Sequence, residues 1–179
     1  LLHHLGKTAE ILVFLIGAMT IVEIVDYFNG FSVFQKIINF KTKKAILWVF
    51  SGLAFILSAI IDNLTATIVL ISILQKVVSD KNLRIWYAAL IVIAANAGGA
   101  WSPIGDVTTT MLWIGDKVST PMLIQYLLIP SIACAVAATG IASLLPAFKG
   151  EIKLNPVKDE GNKYSFRMLA LGLVSICLL

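Results

Sequence analysis

The stretch NAGGAWSPIGDVTTTMLW, Asn96 to Trp113, lies inside a long apolar region and interrupts it with Gly98, Gly99, Pro103, Gly105 and a lone carboxylate, Asp106. Glycine permits close backbone approach and unusual dihedrals, and proline cannot continue a helical hydrogen-bond ladder. At membrane depth an irregular, polar backbone is tolerated only where protein or a water-filled cavity satisfies it. The stretch therefore reads as two half-helices with a backbone joint between them, the break running from Asn96 to Asp106. Carbonyls that end the first half attract a cation, whereas N–H groups that open the second suit an anion or an ionised Asp106. Backbone geometry alone leaves the sign of a substrate open.

The surroundings of this stretch set the class of protein. The chain of 179 residues is 59% hydrophobic and 13% charged, far more apolar than a soluble domain, so it reads as an all-α, multi-pass integral membrane protein. A net charge of +4 raises the question of a nucleic-acid partner. The basic residues, however, fall in short gaps between apolar runs and not on one continuous face, which argues for membrane topology and against nucleic acid. Cys134 and Cys177 lie in apolar runs without metal-site or disulfide spacing and read as small buried hydrophobes. His3 and His4 precede the first span and read as exposed, with no cofactor implied. Because the chain starts at Leu1, and its last apolar run, Ser165 to Leu179, is shorter than the roughly 20 residues of a spanning helix, it reads as an internal piece of a longer protein.

Apolar runs place a first span over about 9–27, followed by an amphipathic stretch with Phe28, Phe31, Phe34, Ile37 and Ile38. A basic loop with Lys36, Lys41, Lys43 and Lys44 comes next. The run 45–78 is apolar except near Asp62 and Asn63. As helices its two legs reach only about 25 Å and 22 Å, against roughly 30 Å of hydrocarbon. A hairpin entering and leaving on one side, with Asp62 and Asn63 at its buried tip, fits better than two complete spans. The broken helix occupies 85–115, with pieces of about 17 Å and 14 Å, and a return span follows over 127–148 with Pro130 near its start. Residues 149–164 form a loop and 165–179 begin another span, so 1–148 is the transport region. On this count all three basic clusters, Lys36 to Lys44, Lys76 to Arg84 and the last, holding five cationic and three acidic residues between Lys149 and Arg167, fall on the cytoplasmic side. Trp48, Trp86 and Trp113 lie near span ends as an aromatic belt requires; Trp101, inside the break, does not.

Charge narrows the chemistry. No Lys or Arg lies between Lys44 and Lys76 or between Arg84 and Lys117, so no resident cation neutralises Asp62 or Asp106. Such carboxylates either hold a proton or bind an incoming cation, and competition between the two states is what a cation/proton exchanger needs. Asn63, Thr65, Asn96, Ser102 and Thr108 supply neutral oxygens suited to a hard ion. Structural roles compete with these: Asp62 and Asn63 as a polar turn, Asp106 as an N-cap, and Thr108 to Thr110 bonded back to their own helix. Glu23 and Asp26, at i and i+3 near the cytoplasmic end of the first span, read either as a proton path or as a solvated pair.

Two segments, IIDNLTATIVL (60–70) and ANAGGAWSPIGDVTTTMLW (95–113), resemble the ion transporter superfamily of arsenite, citrate and dicarboxylate permeases, and look closely like its NhaD-type sodium/proton antiporters. TIVEIVDYFNGF (20–31) is also similar to that family. The resemblance runs from about residue 9 to 148. It implies an inverted-repeat transporter fold in which a re-entrant hairpin and a broken helix meet near the midplane, this chain being most of the first repeat. It places the hairpin-tip motif on Asp62, Asn63 and Thr65, and the broken-helix motif on Asn96, Gly98, Gly99, Ser102, Pro103, Gly105 and Asp106. Permeases for carboxylates in the superfamily tend to carry Ser-Asn-Thr at the tip, and the acidic Asp62 here argues against an anionic substrate.

The expected function is exchange of Na+ or Li+ for H+ by alternating access, with Na+ held at Asp62 and Asp106. The expected partners are these ions, the lipid bilayer, the second repeat of the parent chain and, left open, a second copy in a homodimer; the expected location is the bacterial inner membrane. The alternatives are an anion permease coupled to sodium or protons, and, remotely, an intramembrane aspartyl protease. Against the protease, Pro103 stands where Gly-x-Gly-Asp needs glycine, and no Tyr precedes Asp62.

Overall fold

The computed structural model describes residues 2–28, 30–31, 34, 40–152, 154 and 165–178. The side chains of His3, His4 and Cys177, the residues Lys36, Ile37 and Ile38, and most of the third basic cluster lie outside the described part. Among the described residues seven α-helices follow in chain order: α1 (Leu2–Tyr27), α2 (Lys43–Ile60), α3 (Asn63–Val77), α4 (Lys81–Gly99), α5 (Val107–Ile114), α6 (Thr120–Ser143) and α7 (Ser165–Leu178). A 3-10 turn, Pro146–Phe148, follows α6. Among the described residues there is no strand, only an isolated antiparallel bridge between Thr42 and Glu151.

Local chemistry sets where these helices start. Thr42 Oγ accepts from Ala45 N at the head of α2, and Asp80 accepts from Asn82 and Leu83 N at the head of α4. Asp62 caps α3 and Asp106 caps α5. Each cap supplies an acceptor to first-turn N–H groups that have no partner in the helix.

The hairpin α2–α3 wraps against α4, and among the described helices α2 and α4 make the most extensive contact. Ile46, Leu47, Phe50, Ala54 and Leu57 of α2 are buried with Leu70, Ile73 and Leu74 of α3 and with Tyr87, Ile91 and Ala94 of α4. Tyr87 is fully buried. Its hydroxyl donates to Lys43 O at 2.9 Å, and its ring meets Phe148 edge-on at 5.3 Å, so the polar tip of a large ring is satisfied inside the core. Outside this unit, α1 packs against α7 and α5, with Phe14 and Trp113 edge to face at 6.3 Å.

Among the described residues two helices, α2 and α6, are long and apolar enough to cross a membrane. Helix α6 exposes Met122, Ile124, Tyr126, Leu127, Ile129, Ile132, Val136 and Ile141. A helix that is apolar all round must be covered by lipid or by more protein, which agrees with an integral membrane protein.

Several bounds differ from the sequence-based expectation. Helix α1 starts at Leu2 and not near Ala9. Helix α6 starts at Thr120, not near Leu127, because Ser119 and Pro121 suit a helix start. Pro130 consequently lies in its interior, and the helix stops at Ser143, ahead of Pro146. Helix α4 begins at Lys81 and continues through Asn96 to Gly99, so the break spans 100–106 instead of 96–106. At roughly 28 Å, α4 is far longer than the 17 Å piece expected. Cys134 is exposed on α6 and not a buried hydrophobe.

Candidate functional site

The end of α2, the two-residue tip at Ile61 and Asp62, the end of α4 and the joint at 100–106 converge at one point. Close packing there selects glycine. A Cβ added to Gly98 would lie 2.1 Å from Phe55 O, and one added to Gly99 would lie 2.2 Å from Gly105 O. Gly98 and Gly99, expected in the joint, are instead the last residues of α4, and their use is close approach between backbones. Pro103 and Gly105 do lie in the joint.

Backbone carbonyls around these interruptions accept from side-chain hydroxyls. Ser58 Oγ donates to Ala95 O and Ser102 Oγ to Ala59 O, both at 2.6 Å. Thr110, 1% exposed, donates through one hydroxyl to Pro103 O and Asp106 O, each at 2.9 Å, and Thr109 donates to Asp106 O at 2.8 Å. The threonine run therefore bonds back to its own helix start and also secures the joint. Composition does not mark Ser58, since serine is common in apolar helices; its value rests on a partner 37 residues away in sequence. Trp101 stacks on Phe55 at 6.3 Å, and its buried indole N–H has no hydrogen-bond partner among the described residues.

The polar centre is built across the tip–joint contact. Asn63 N donates to Gly105 O at 3.0 Å. The Asn63 side-chain Nδ2 donates both to Asp106 Oδ2 at 2.7 Å and to Asn96 Oδ1 at 3.0 Å. Asn96 is held in turn by its own Nδ2, which donates to Val92 O at 2.8 Å. The second oxygen of Asp106 accepts from Thr108 N at 2.8 Å and from Thr108 Oγ. Asn63, Asn96, Asp106 and Thr108, from three helices, thus meet around one carboxylate.

Asp62 is arranged differently. It is 8% exposed, its Oδ1 accepts from Thr65 N at 2.8 Å, and it lines a gap of about 20 Å³ with Phe14, Ala18, Ile104 and Thr110. Among the described residues the Asp62 and Asp106 carboxylates share no hydrogen-bond partner. Thr65 enters through its backbone, and Ser102 binds the end of α2 and not the carboxylate cluster. Glu23 and Asp26 are exposed near the end of α1, with Asp26 in electrostatic reach of Lys76. Lys76 lies at the far end of α3, about 20 Å along that helix from the tip, so the pair is not brought to this centre.

Asp62 also has φ 139° and ψ 158°, a region that is almost glycine-only and costs about 1–3 kcal/mol for other residues. Asp62→Gly should therefore raise the thermal unfolding temperature of the full-length protein, because glycine relieves the strain and gives up only a few tenths of a kcal/mol as a cap. Asp62→Ala keeps the strain and loses the cap, so the expected order is Gly above Asp above Ala. An Ala variant as stable as the Gly variant would show that the backbone there is unstrained.

The sequence profile of the citrate transporter family matches residues 6–179. Sodium/proton antiporter 1 of Arabidopsis thaliana is 45% identical over 149 residues, 83% of this chain and 26% of that protein. Sodium/proton antiporter 2 of the same plant is 43% identical over 83% of this chain and 35% of its own length. The Na+/H+ antiporter NhaD of Vibrio parahaemolyticus is 38% identical, over 69% of this chain and 33% of that protein. The chain thus spans about a quarter to a third of the length of these relatives. No solved structure matches.

Proposed function

The chain belongs to the citrate transporter family, and from that premise we propose that its parent protein is a secondary active transporter that exchanges Na+ or Li+ for H+ by alternating access. The observation that carries this reading is the Asp106 cluster: a carboxylate at a helix break, surrounded by Asn63, Asn96 and Thr108, in an apolar region whose sequence holds no Lys or Arg from Ile85 to Asp116. Without a resident cation, the carboxylate is neutralised by a proton or by a bound metal cation. Those two occupants exclude one another, and their exchange couples the two fluxes. Asp106 is the better candidate for the cation, since hard ions take oxygen ligands and its neighbours supply them. Asp62, facing a small and mostly apolar gap, is the candidate for carrying a proton only.

The similarity to proteins named sodium/proton antiporters supports the choice of ions. The proposed setting is a membrane that sustains a proton gradient, such as the bacterial plasma membrane; similar proteins occur in a plant as well as in bacteria. The second half of the site belongs, on this reading, to an inverted repeat elsewhere in the parent protein.

A second reading follows from the family description itself, which names citrate: a permease in which the same cluster binds a coupling cation and the substrate is an organic anion. The two are separated with the full-length protein in inside-out vesicles carrying an imposed proton gradient. Addition of Na+ or Li+ chloride should collapse the gradient, while K+ chloride and citrate should not. Uptake of labelled citrate, with no response to Na+ or Li+ alone, would replace the antiporter by the permease.

A further inference from the structure

We propose that the Asn63 carboxamide is an internal stand-in for the transported cation: its NH2 group occupies the ion position in the empty site and must turn away, presenting Oδ1, when an ion enters. The inference rests on the reading of Asp106 as the cation-binding carboxylate and adds what holds the site between ions. One nitrogen, Nδ2, donates to Asp106 Oδ2 at 2.7 Å and to Asn96 Oδ1 at 3.0 Å. An amide nitrogen has two protons, and both are used here on the oxygens that an ion would need.

The orientation of this amide follows from its neighbours. Asn96 turns its oxygen toward Asn63 because its own Nδ2 is engaged by Val92 O. Asp106 offers Oδ2 because Thr108 engages Oδ1. Reversing Asn63 in the empty site would set its oxygen against a carboxylate oxygen and a second amide oxygen. With a cation between them the preference inverts, since the ion attracts all three oxygens and repels the NH2. The backbone of Asn63 is pinned to Gly105 O at 3.0 Å, so the change is confined to rotation of the side chain. The carboxamide thereby keeps a half-buried carboxylate satisfied without a resident Lys or Arg, whose fixed positive charge would compete far more strongly with Na+.

The test uses the full-length protein in lipid bilayers, with side-chain 15N-labelled asparagine, the Asn63 signal being identified by its loss in Asn63→Asp. Addition of NaCl should shift that signal and speed its hydrogen exchange, with a midpoint equal to the KM for Na+-driven proton flux; choline chloride should do neither. In flux measurements Asn63→Asp, which has no NH2 to displace, should lower the KM for Na+ by about tenfold or more and reduce kcat, as ion release slows. A merely structural pin predicts an Asn63 signal indifferent to saturating Na+ in a wild-type protein that exchanges ions, and that result would overturn the inference. Absence of any Na+- or Li+-driven flux in the wild type would instead remove the antiporter reading on which it rests.

Discussion

Asp106→Asn should reduce Na+-driven proton flux of the full-length protein to about one hundredth of wild type or less, since asparagine can neither release a proton nor neutralise a bound cation, a charged contact is worth up to about 3 kcal/mol, and each 1.4 kcal/mol is tenfold. The substitution is informative because it separates charge from architecture. Asp106 is the N-cap of α5, accepting from Thr108 N at 2.8 Å, and asparagine caps a helix about as well as aspartate. The variant should therefore keep the thermal stability of the parent to within about 1 kcal/mol while losing the group that exchanges a proton for a cation. Asp106→Ala loses both. If Asp106→Asn transports normally in the vesicle assay, the cation is held elsewhere and the cluster around Asn63 is structural.

Gly98→Val should prevent the hairpin from docking on α4. The first atom of any side chain at this position would lie 2.1 Å from Phe55 O and 2.7 Å from Phe55 Cα, and these are backbone atoms of another helix that cannot swing aside. Overpacking a tight site costs about 1–3 kcal/mol even where side chains can yield. Here at least the upper end is expected, read as a fall in unfolding temperature. Gly52→Ala is the internal control: it too is a helical glycine, but nothing lies within 4 Å of an added Cβ, and alanine should stabilise α2 by up to about 1 kcal/mol. Detergent-extracted full-length protein, heated and then followed by size-exclusion chromatography, distinguishes the two. Equal survival of Gly98→Val and the parent would mean that the helices have room to part.

The amino-acid sequence makes some of this architecture legible. The hairpin and its tip are readable because one Asp-Asn pair interrupts a run that is otherwise apolar, and the break is readable because Pro103, Gly105 and the carboxylate of Asp106 fall within four residues of one apolar run. The extent of the break was not. Glycine marks freedom of backbone and closeness of neighbours with the same letter, and at Gly98 and Gly99 the second meaning wins because Phe55 and Gly105 lie against them. The role of Asn63 was legible as a polar residue at the tip, but not its simultaneous bonds to Asn96 and Asp106, which depend on how two segments meet. Nor does any sequence signal announce a positive φ at an aspartate. The start of α6 was missed for a related reason: Thr120 and Gln125 look polar beside the run that follows, yet tolerate helix once Pro121 has opened it.

The bonds at the tip also have a consequence for synthesis. Asn63 reaches Asp106, and Ser102 reaches Ala59, each across 43 residues. A ribosome adding roughly 5–20 residues per second delivers Asp106 about 2–9 seconds after Asn63. During that interval the hairpin has its apolar legs but not the partners of its polar tip, and burying such groups alone in hydrocarbon is unfavourable. On the reading that places the tip at membrane depth, the hairpin waits at an aqueous boundary until the broken helix arrives, and the two enter the bilayer interior together.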